Sequence, residues 1–198
     1  MNKRIIITQR VDYFDNRNET RDSYDQRIVE LLNFCGYDAF PMPNNVINNF
    51  SNWILSIKPN GFLLTGGNNL GEFPYRDNLE IKILDYSIKN KLPVMGICRG
   101  MQIINKWAGG ELTKLDNHVG KKHNVYLLKE DMKIIVNSYH QYGIKSCPNN
   151  FSVLGISDDS YVEAFKHKSS EIYGVMWHPE RETQINDYDL ELIKKIFN

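Results

Sequence analysis

The chain lacks most of the features that would mark a secreted, membrane-spanning or polymer-binding protein. Cysteine is scarce: Cys35, Cys98 and Cys147 are the only three. They form no Cys-x-x-Cys pair and their number is odd, which excludes a disulfide framework and fits free thiols in a reducing compartment. An excess of one charge is also missing, because 24 Lys and Arg balance 24 Asp and Glu. No net field draws the protein to a nucleic-acid polymer or an anionic membrane, although local patches survive a zero sum. Long apolar runs are absent. The start offers only Ile5-Ile6-Ile7 before polar residues return, too short for a signal-peptide core or a membrane span, and a cytoplasmic protein is expected. No repeat, low-complexity tract or interdomain linker breaks the 198 residues, and the asparagine-rich stretch around residues 44–52 carries an apolar stripe, Val46, Ile47, Phe50 and Trp53. One domain over residues 1–198 is expected.

Short apolar runs alternate with helical spacing through the first half. Ile5 to Ile7 reads as a buried strand, and Tyr24, Ile28, Leu31, Leu32 and Cys35 as a helix face ending at Gly36. A strand follows at Ala39-Phe40, a helix over 50–57, a strand over 61–64, a helix lined by Leu79, Ile83, Tyr86 and Ile88, and a strand over 94–97. This β-α-β order predicts an α/β fold with a parallel sheet covered on both faces and function at the strands' carboxyl ends. After Gly110 the pattern changes to closely spaced strands, partly antiparallel, around 125–128, 134–136, 152–156, 161–165 and 172–176, closed by a helix over 187–197.

Gly96-Ile97-Cys98-Arg99-Gly100 lies between an apolar run and a helical pattern. A cysteine on such a strand-to-helix turn is presented at the sheet's carboxyl end and at a helix N-terminus, where amides and macrodipole favour a thiolate. A nucleophile needs a base, and the base needs an orienting group. Of the five histidines, His178 leaves a strand-like segment and is followed by Pro179 and Glu180. Cys98, His178 and Glu180 are therefore the candidate nucleophile, base and orienting carboxylate.

Cys98 in its turn, with Trp177-His178-Pro179-Glu180 about eighty residues later, resembles the class I glutamine amidotransferase superfamily. Leu63-Leu64-Thr65-Gly66-Gly67, Arg76-Asp77 with Glu80, Gly109-Gly110, Asn137-Ser138-Tyr139-His140-Gln141 and Glu163-Ala164-Phe165 match further blocks in order. The Arg-Asp-x-x-Glu block and the string from Gly96 to Asn105 look most like the stand-alone γ-glutamyl hydrolases. The resemblance implies a three-layer αβα sandwich, flavodoxin-like, with a mostly parallel sheet. It implies cysteine-dependent hydrolysis of a γ-glutamyl amide through a γ-glutamyl thioester, with no metal or organic cofactor. The backbone amides of Gly67 and Arg99 become the oxyanion hole, and Gly66, Gln102, Asn137, Ser138, Tyr139 and His140 contact the glutamyl group, the segment 137–140 as a loop acting largely through backbone. His140 reads as structural or substrate-positioning, since His178 has the carboxylate partner.

Within that group the chain is similar to hydrolases of bacterial capsule phosphoramidate synthesis, which implies a nucleotide-linked small-molecule substrate. Arg10, Arg76, His118, Lys121, Lys122 and His123 are the candidate leaving-group contacts. Arg76-Asp77 reads equally as an ion pair at a helix entrance. His118 and His123 lack a second close pair of ligands in the sequence, so no metal site is expected. The competing readings are a γ-glutamyl-γ-aminobutyrate-type hydrolase, an amidotransferase component that passes ammonia to a synthetase, and a non-catalytic binding module that keeps the fold; monomer and homodimer both stay open.

Overall fold

The computed structural model describes residues 2–198. A nine-stranded sheet organises it. Its parallel part is β1 (Lys3–Ile7), flanked by β4 (Tyr37–Pro41) and β5 (Gly61–Leu64), then β6 (Val94–Ile97) and β13 (Ile172–Val175). Between β1 and β4 the chain makes a separate hairpin, β2 (Arg10–Phe14) and β3 (Glu19–Ser23). The short strands β7 (Thr113–Lys114) and β10 (Tyr142–Gly143) pair with each other. Beyond β13 the sheet continues antiparallel through β12 (Val162–His167), β11 (Phe151–Ser157), β8 (Val119–Leu127) and β9 (Met132–Tyr139). Because each antiparallel step reverses direction, β11 and β9 point the same way as the parallel five, and only β12 and β8 oppose them.

The central strands are apolar without alternation because both faces are covered. Ile5, Ile7, Leu63, Met95 and Ile97 pack against α1 (Gln26–Phe34) and α5 (Asp187–Phe197). Ile6, Phe62, Leu64 and Val94 pack against α2 (Phe50–Ile57), α3 (Pro74–Asn90) and α4 (Arg99–Trp107). This is the expected αβα sandwich. Each such side chain removed from water contributes about 1.5–3 kcal/mol. Asp25 caps α1 by accepting from Arg27 N–H, and Asn186 caps α5 by accepting from Asp189 N–H at 2.8 Å. Among the described residues no helix is long and apolar enough to cross a membrane.

Three expectations need correction. Tyr24 lies outside α1, which starts at Gln26 behind the Asp25 cap. Ile88 is exposed, and the buried face of α3 is instead partly ionic, carrying Arg76 and Glu80 among Leu79, Ile83 and Leu84. Asn137, Ser138 and Tyr139 belong to β9 rather than to a loop.

Candidate active site

At the carboxyl end of β6 the chain turns through Cys98, with φ 53° and ψ −106°, directly into α4. A non-glycine residue in that region stores about 1–3 kcal/mol of strain, which the surrounding packing must hold. The packing is close: a Cβ at Gly100 would overlap the Leu64 carbonyl oxygen, so α4 approaches β5 only because Gly100 has none. Cys98 sits 7 % exposed at the head of the helix, where first-turn amides have no intrahelical acceptor.

His178 is fixed from several sides. Trp177, fully buried, donates its indole N–H to Asp189 Oδ1 at 2.9 Å and anchors the segment leaving β13. Asn137 clasps the His178 backbone, Oδ1 accepting from its N–H at 2.9 Å and Nδ2 donating to its carbonyl oxygen at 2.8 Å. The ring places Nδ1 2.6 Å from Glu180 Oε1. Burial alone would lower the pKa of this imidazole. The charge and hydrogen bonding of Cys98, with the Glu180 carboxylate behind, reverse that and hold it at about 9. The imidazole also lies against Gly66, where a Cβ would come within 2.8 Å of Cε1.

Residues 65–67 are shaped by Arg76. Its guanidinium, fully buried, donates to the carbonyl oxygens of Thr65 and Gly66, each at 3.0 Å, and to that of Gly67. A trans peptide points its N–H opposite its C=O, so a Gly66 carbonyl held by Arg76 turns the Gly67 N–H to the other side. Gly67 itself has φ +82°, a conformation that favours glycine. Glu80 accepts from Thr8 Oγ1 at 2.8 Å, from Arg76 Nε at 3.3 Å and from Arg99, which also pairs with Asp77. Burial raises the Glu80 carboxyl, but Arg99 and Arg76 outweigh it and the net shift is downward. Burial pulls Arg76 down to about 10, still charged at neutral pH. One buried ionic network thus lies beneath both backbone segments of the candidate oxyanion hole, and Arg76 is not a leaving-group contact.

The remaining sequence candidates divide. Gln102 is buried, with Nε2 donating to the Tyr142 carbonyl oxygen at 3.0 Å. The side chains of Asn137 and Ser138 face inward, toward His178 and the His118 carbonyl oxygen. Tyr139 is exposed and meets the His178 ring edge-on, centroids 5.8 Å apart, with the Arg181 guanidinium 4.8 Å from its own centroid. A cavity of about 240 Å³ is lined by Arg10, Tyr24, Gly66, Gly67, His178 and Arg181, among others. Arg10 thus shares this cavity with the imidazole and packs against Gly67, and Arg181 and Tyr24 line it as well, positions not among the sequence candidates. The adjacency of Arg181 to Glu180 was the available signal.

His118, Lys121, Lys122 and His123 line one cavity, together with Asp158 and Asp159, and His118, His123 and His140 meet on its inner side. The three histidines crowd around the buried carboxylate of Glu163, whose Oε2 lies 3.5 Å from His123 Nε2 and whose Oε1 lies 3.6 Å from His140 Nε2. The expectation that His118 and His123 lack further ligand-type neighbours is corrected, since the sheet brings Glu163 to them from β12. Lys121 and Lys122 are exposed, Lys122 pairing with Glu182 at 2.8 Å.

Comparison with known proteins decides the family. The peptidase C26 profile matches residues 15–180. The chain belongs to the peptidase C26 family. It is 33 % identical over 98 % of its length, and 97 % of the relative's, to a γ-glutamyl-CDP-amidate hydrolase of Campylobacter jejuni. It is 32 % identical to a component of the glutamine-hydrolysing GMP synthase of Pyrococcus furiosus, covering 79 % of this chain and 84 % of that one. Its fold matches the crystal structure of a GMP synthase component from Thermoplasma acidophilum at TM-score 0.78 and 21 % identity, over all of this chain and 93 % of the other. The C26 family residues quoted from the sequence thus fall on the same class I glutamine amidotransferase architecture.

Proposed function

We propose that the protein is a γ-glutamyl amide hydrolase in which Cys98 is the nucleophile, His178 the acid and base, and Glu180 its orienting carboxylate. The observation that carries this reading is Cys98 held at positive φ on the β6–α4 turn and coupled to a buried His178–Glu180 pair. The Cys98 thiolate adds to the γ-carbonyl carbon, and the Gly67 and Arg99 amides donate to the oxygen that takes up the charge; one such donor typically changes the rate by about two to three orders of magnitude. The carbon–nitrogen bond breaks as the His178 imidazolium protonates the departing amine. His178 then takes a proton from water, which cleaves the thioester, releases glutamate and restores the thiolate. Gly66, Gln102 and the backbone of residues 137–140 hold the glutamyl group in this reading.

For the leaving group, the reading takes a nucleotide-linked amide, with γ-glutamyl-CDP-amidate as first choice. Its support is the near full-length relative that acts on that compound by name, together with Arg10 and Arg181 lining the cavity beside His178. The GMP synthase relatives favour a second reading, a glutaminase that serves a synthetase. Mass-spectrometric rates on γ-glutamyl-CDP-amidate, γ-glutamyl-γ-aminobutyrate and glutamine separate them. The first reading requires kcat/KM for the nucleotide amide to exceed the others by at least about tenfold. Preference for γ-glutamyl-γ-aminobutyrate refutes the leaving-group assignment alone. Glutamine turnover that appears only with a synthetase partner supports the second reading.

A further inference from the structure

Beside the candidate active site, His118 just before β8, His123 within it, His140 just after β9 and Glu163 on β12 converge. Ring centroids of His118 lie 5.2 Å from His123 and 5.0 Å from His140, and those of His123 and His140 lie 6.2 Å apart. Glu163 is 1 % exposed and His140 2 %. His118 Nδ1, His123 Nε2, His140 Nε2 and both Glu163 oxygens are buried and lack a hydrogen-bond partner among the described residues. Five unpartnered polar atoms in one place are far above what buried polar groups ordinarily tolerate.

The outer nitrogens say what the inner ones offer. His140 Nδ1 lies 3.1 Å from the Tyr142 carbonyl oxygen, which can only accept, so Nδ1 carries the hydrogen and the neutral ring turns the Nε2 lone pair toward Glu163. His118 Nε2 lies 2.8 Å from Asp159 Oδ2, which likewise leaves Nδ1 as the inward lone pair. Hydrogen bonds of this kind, to a carboxylate and to a backbone carbonyl, orient metal-bound imidazoles. Lone pairs facing a carboxylate repel unless a cation lies between them. A proton on His123 would serve one Glu163 oxygen and leave the other, with His118 and His140, unmatched.

The spacing fits a metal better than a hydrogen bond. At 3.5 and 3.6 Å the two Glu163 contacts are long for hydrogen bonds, yet they approach the roughly 3.4 Å that separates two atoms each about 2.1 Å from a tetrahedral ion. One ligand atom each from His118, His123 and Glu163 lies within 4.8 Å of the others. A cavity of about 170 Å³, lined by His118 and His123 with Asp158 and Asp159 and also by Lys121 and Lys122, adjoins them. We propose that His118, His123 and Glu163 form a three-ligand site for a zinc-type divalent cation, with His140 packed beside it against Glu163. Two imidazoles and one carboxylate suit zinc rather than calcium or magnesium, and the three ligands tie the β8 segment to β12. The site is coupled to the triad through backbone, since Asn137 on β9 holds His178 and the Glu163 carbonyl accepts from Met176 N–H at 2.8 Å.

The test strips the full chain with chelator and titrates it with Zn²⁺, and separately with Co²⁺, reading stoichiometry by plasma mass spectrometry, thermal midpoint, and visible d–d absorption. One equivalent bound, with a rise in Tm and tetrahedral cobalt bands free of thiolate charge transfer, is expected. Cys98→Ala should bind equally well. Glu163→Gln should weaken binding by more than about a hundredfold, and Asp159→Asn, on an exposed turn, by roughly ten- to a hundredfold. If Glu163→Gln does not fold, the Asp159 variant carries the comparison. Absence of stoichiometric metal in the folded wild type, loss of binding in Cys98→Ala, or wild-type affinity in both carboxylate variants overturns the site.

Discussion

At the scale of single residues, the chain separates three chemically similar thiols by position alone. Cys35 ends a helix and its thiol is pushed up by burial, as is that of Cys147, whereas Cys98 sits at a strained turn against an imidazole. An electrophilic glutamine analogue should therefore add one equivalent at Cys98, and Cys98→Ala should lose turnover while keeping its circular dichroism. Labelling at Cys35 or Cys147, with activity surviving in the alanine variant, would refute the assignment. His178 makes a second, pH-dependent case. Its folded pKa of about 9 lies above the ordinary 6.5, so the native state holds an extra proton between those values. The stability this gives is complete below pH 6.5 and is lost as pH rises through about 9. Acylation, which needs the imidazolium, should fall over the same alkaline limb. Glu180→Gln should move that limb to lower pH with a smaller loss of turnover than His178→Ala, for which about two to four orders of magnitude are expected. A pH–rate profile unchanged in Glu180→Gln would remove the carboxylate from the mechanism.

At the scale of elements, the Arg76–Glu80–Arg99 network joins α3, α4 and the loop after β5, and it determines whether two backbone amides face the same point. Glu80→Gln leaves two buried guanidinium groups with only the partly exposed Asp77 as counter-charge. Breaking a buried network in this way typically costs about 3–5 kcal/mol, and urea unfolding should register a loss in that range. Turnover of any folded fraction should fall with KM little changed, because the loop shapes the oxyanion site more than the binding of the substrate. An unaltered unfolding midpoint would contradict the argument. Elements of this kind were legible where local pattern dominates: the strands at Gly61–Leu64 and Val94–Ile97 and the helices at Phe50–Ile57 and Asp187–Phe197 appear with the expected limits. The β2–β3 hairpin was not, because Arg10-Val11-Asp12-Tyr13-Phe14 and its partner strand are largely polar and bury little beyond Val11. Their pairing rests on contacts such as Ser23 Oγ donating to Asp12 at 2.5 Å, which no periodicity announces. The His–Glu163 cluster escaped for a related reason, since its members meet only through the strand order of the finished sheet.

At the scale of the whole molecule, a balanced charge supplies no long-range pull on an anionic substrate, so discrimination must come from cations that the fold gathers at one place. Arg10 stands on the hairpin after β1, and Arg181 on the turn after His178, segments about 170 residues apart in sequence that line the same cavity beside Gly67. Arg10 already pairs with Asp12, and both side chains remain partly exposed, so each contact to a phosphate is screened but still charge-assisted, contributing roughly 1.5–3 kcal/mol when formed. If the leaving amine carries a nucleotide phosphate, Arg10→Gln with Arg181→Gln should lower kcat/KM for γ-glutamyl-CDP-amidate by about ten- to a thousandfold. The same pair of substitutions should leave glutamine, which lacks the phosphates, within a fewfold of wild type. Raising ionic strength should erode the wild-type preference and have little further effect on the double variant, because exposed charge pairs weaken as the Debye length shrinks. Equal losses on both substrates would mean that the two arginines support the loop and the imidazole rather than read the leaving group, and the nucleotide assignment would then fall while the Cys98 chemistry stood.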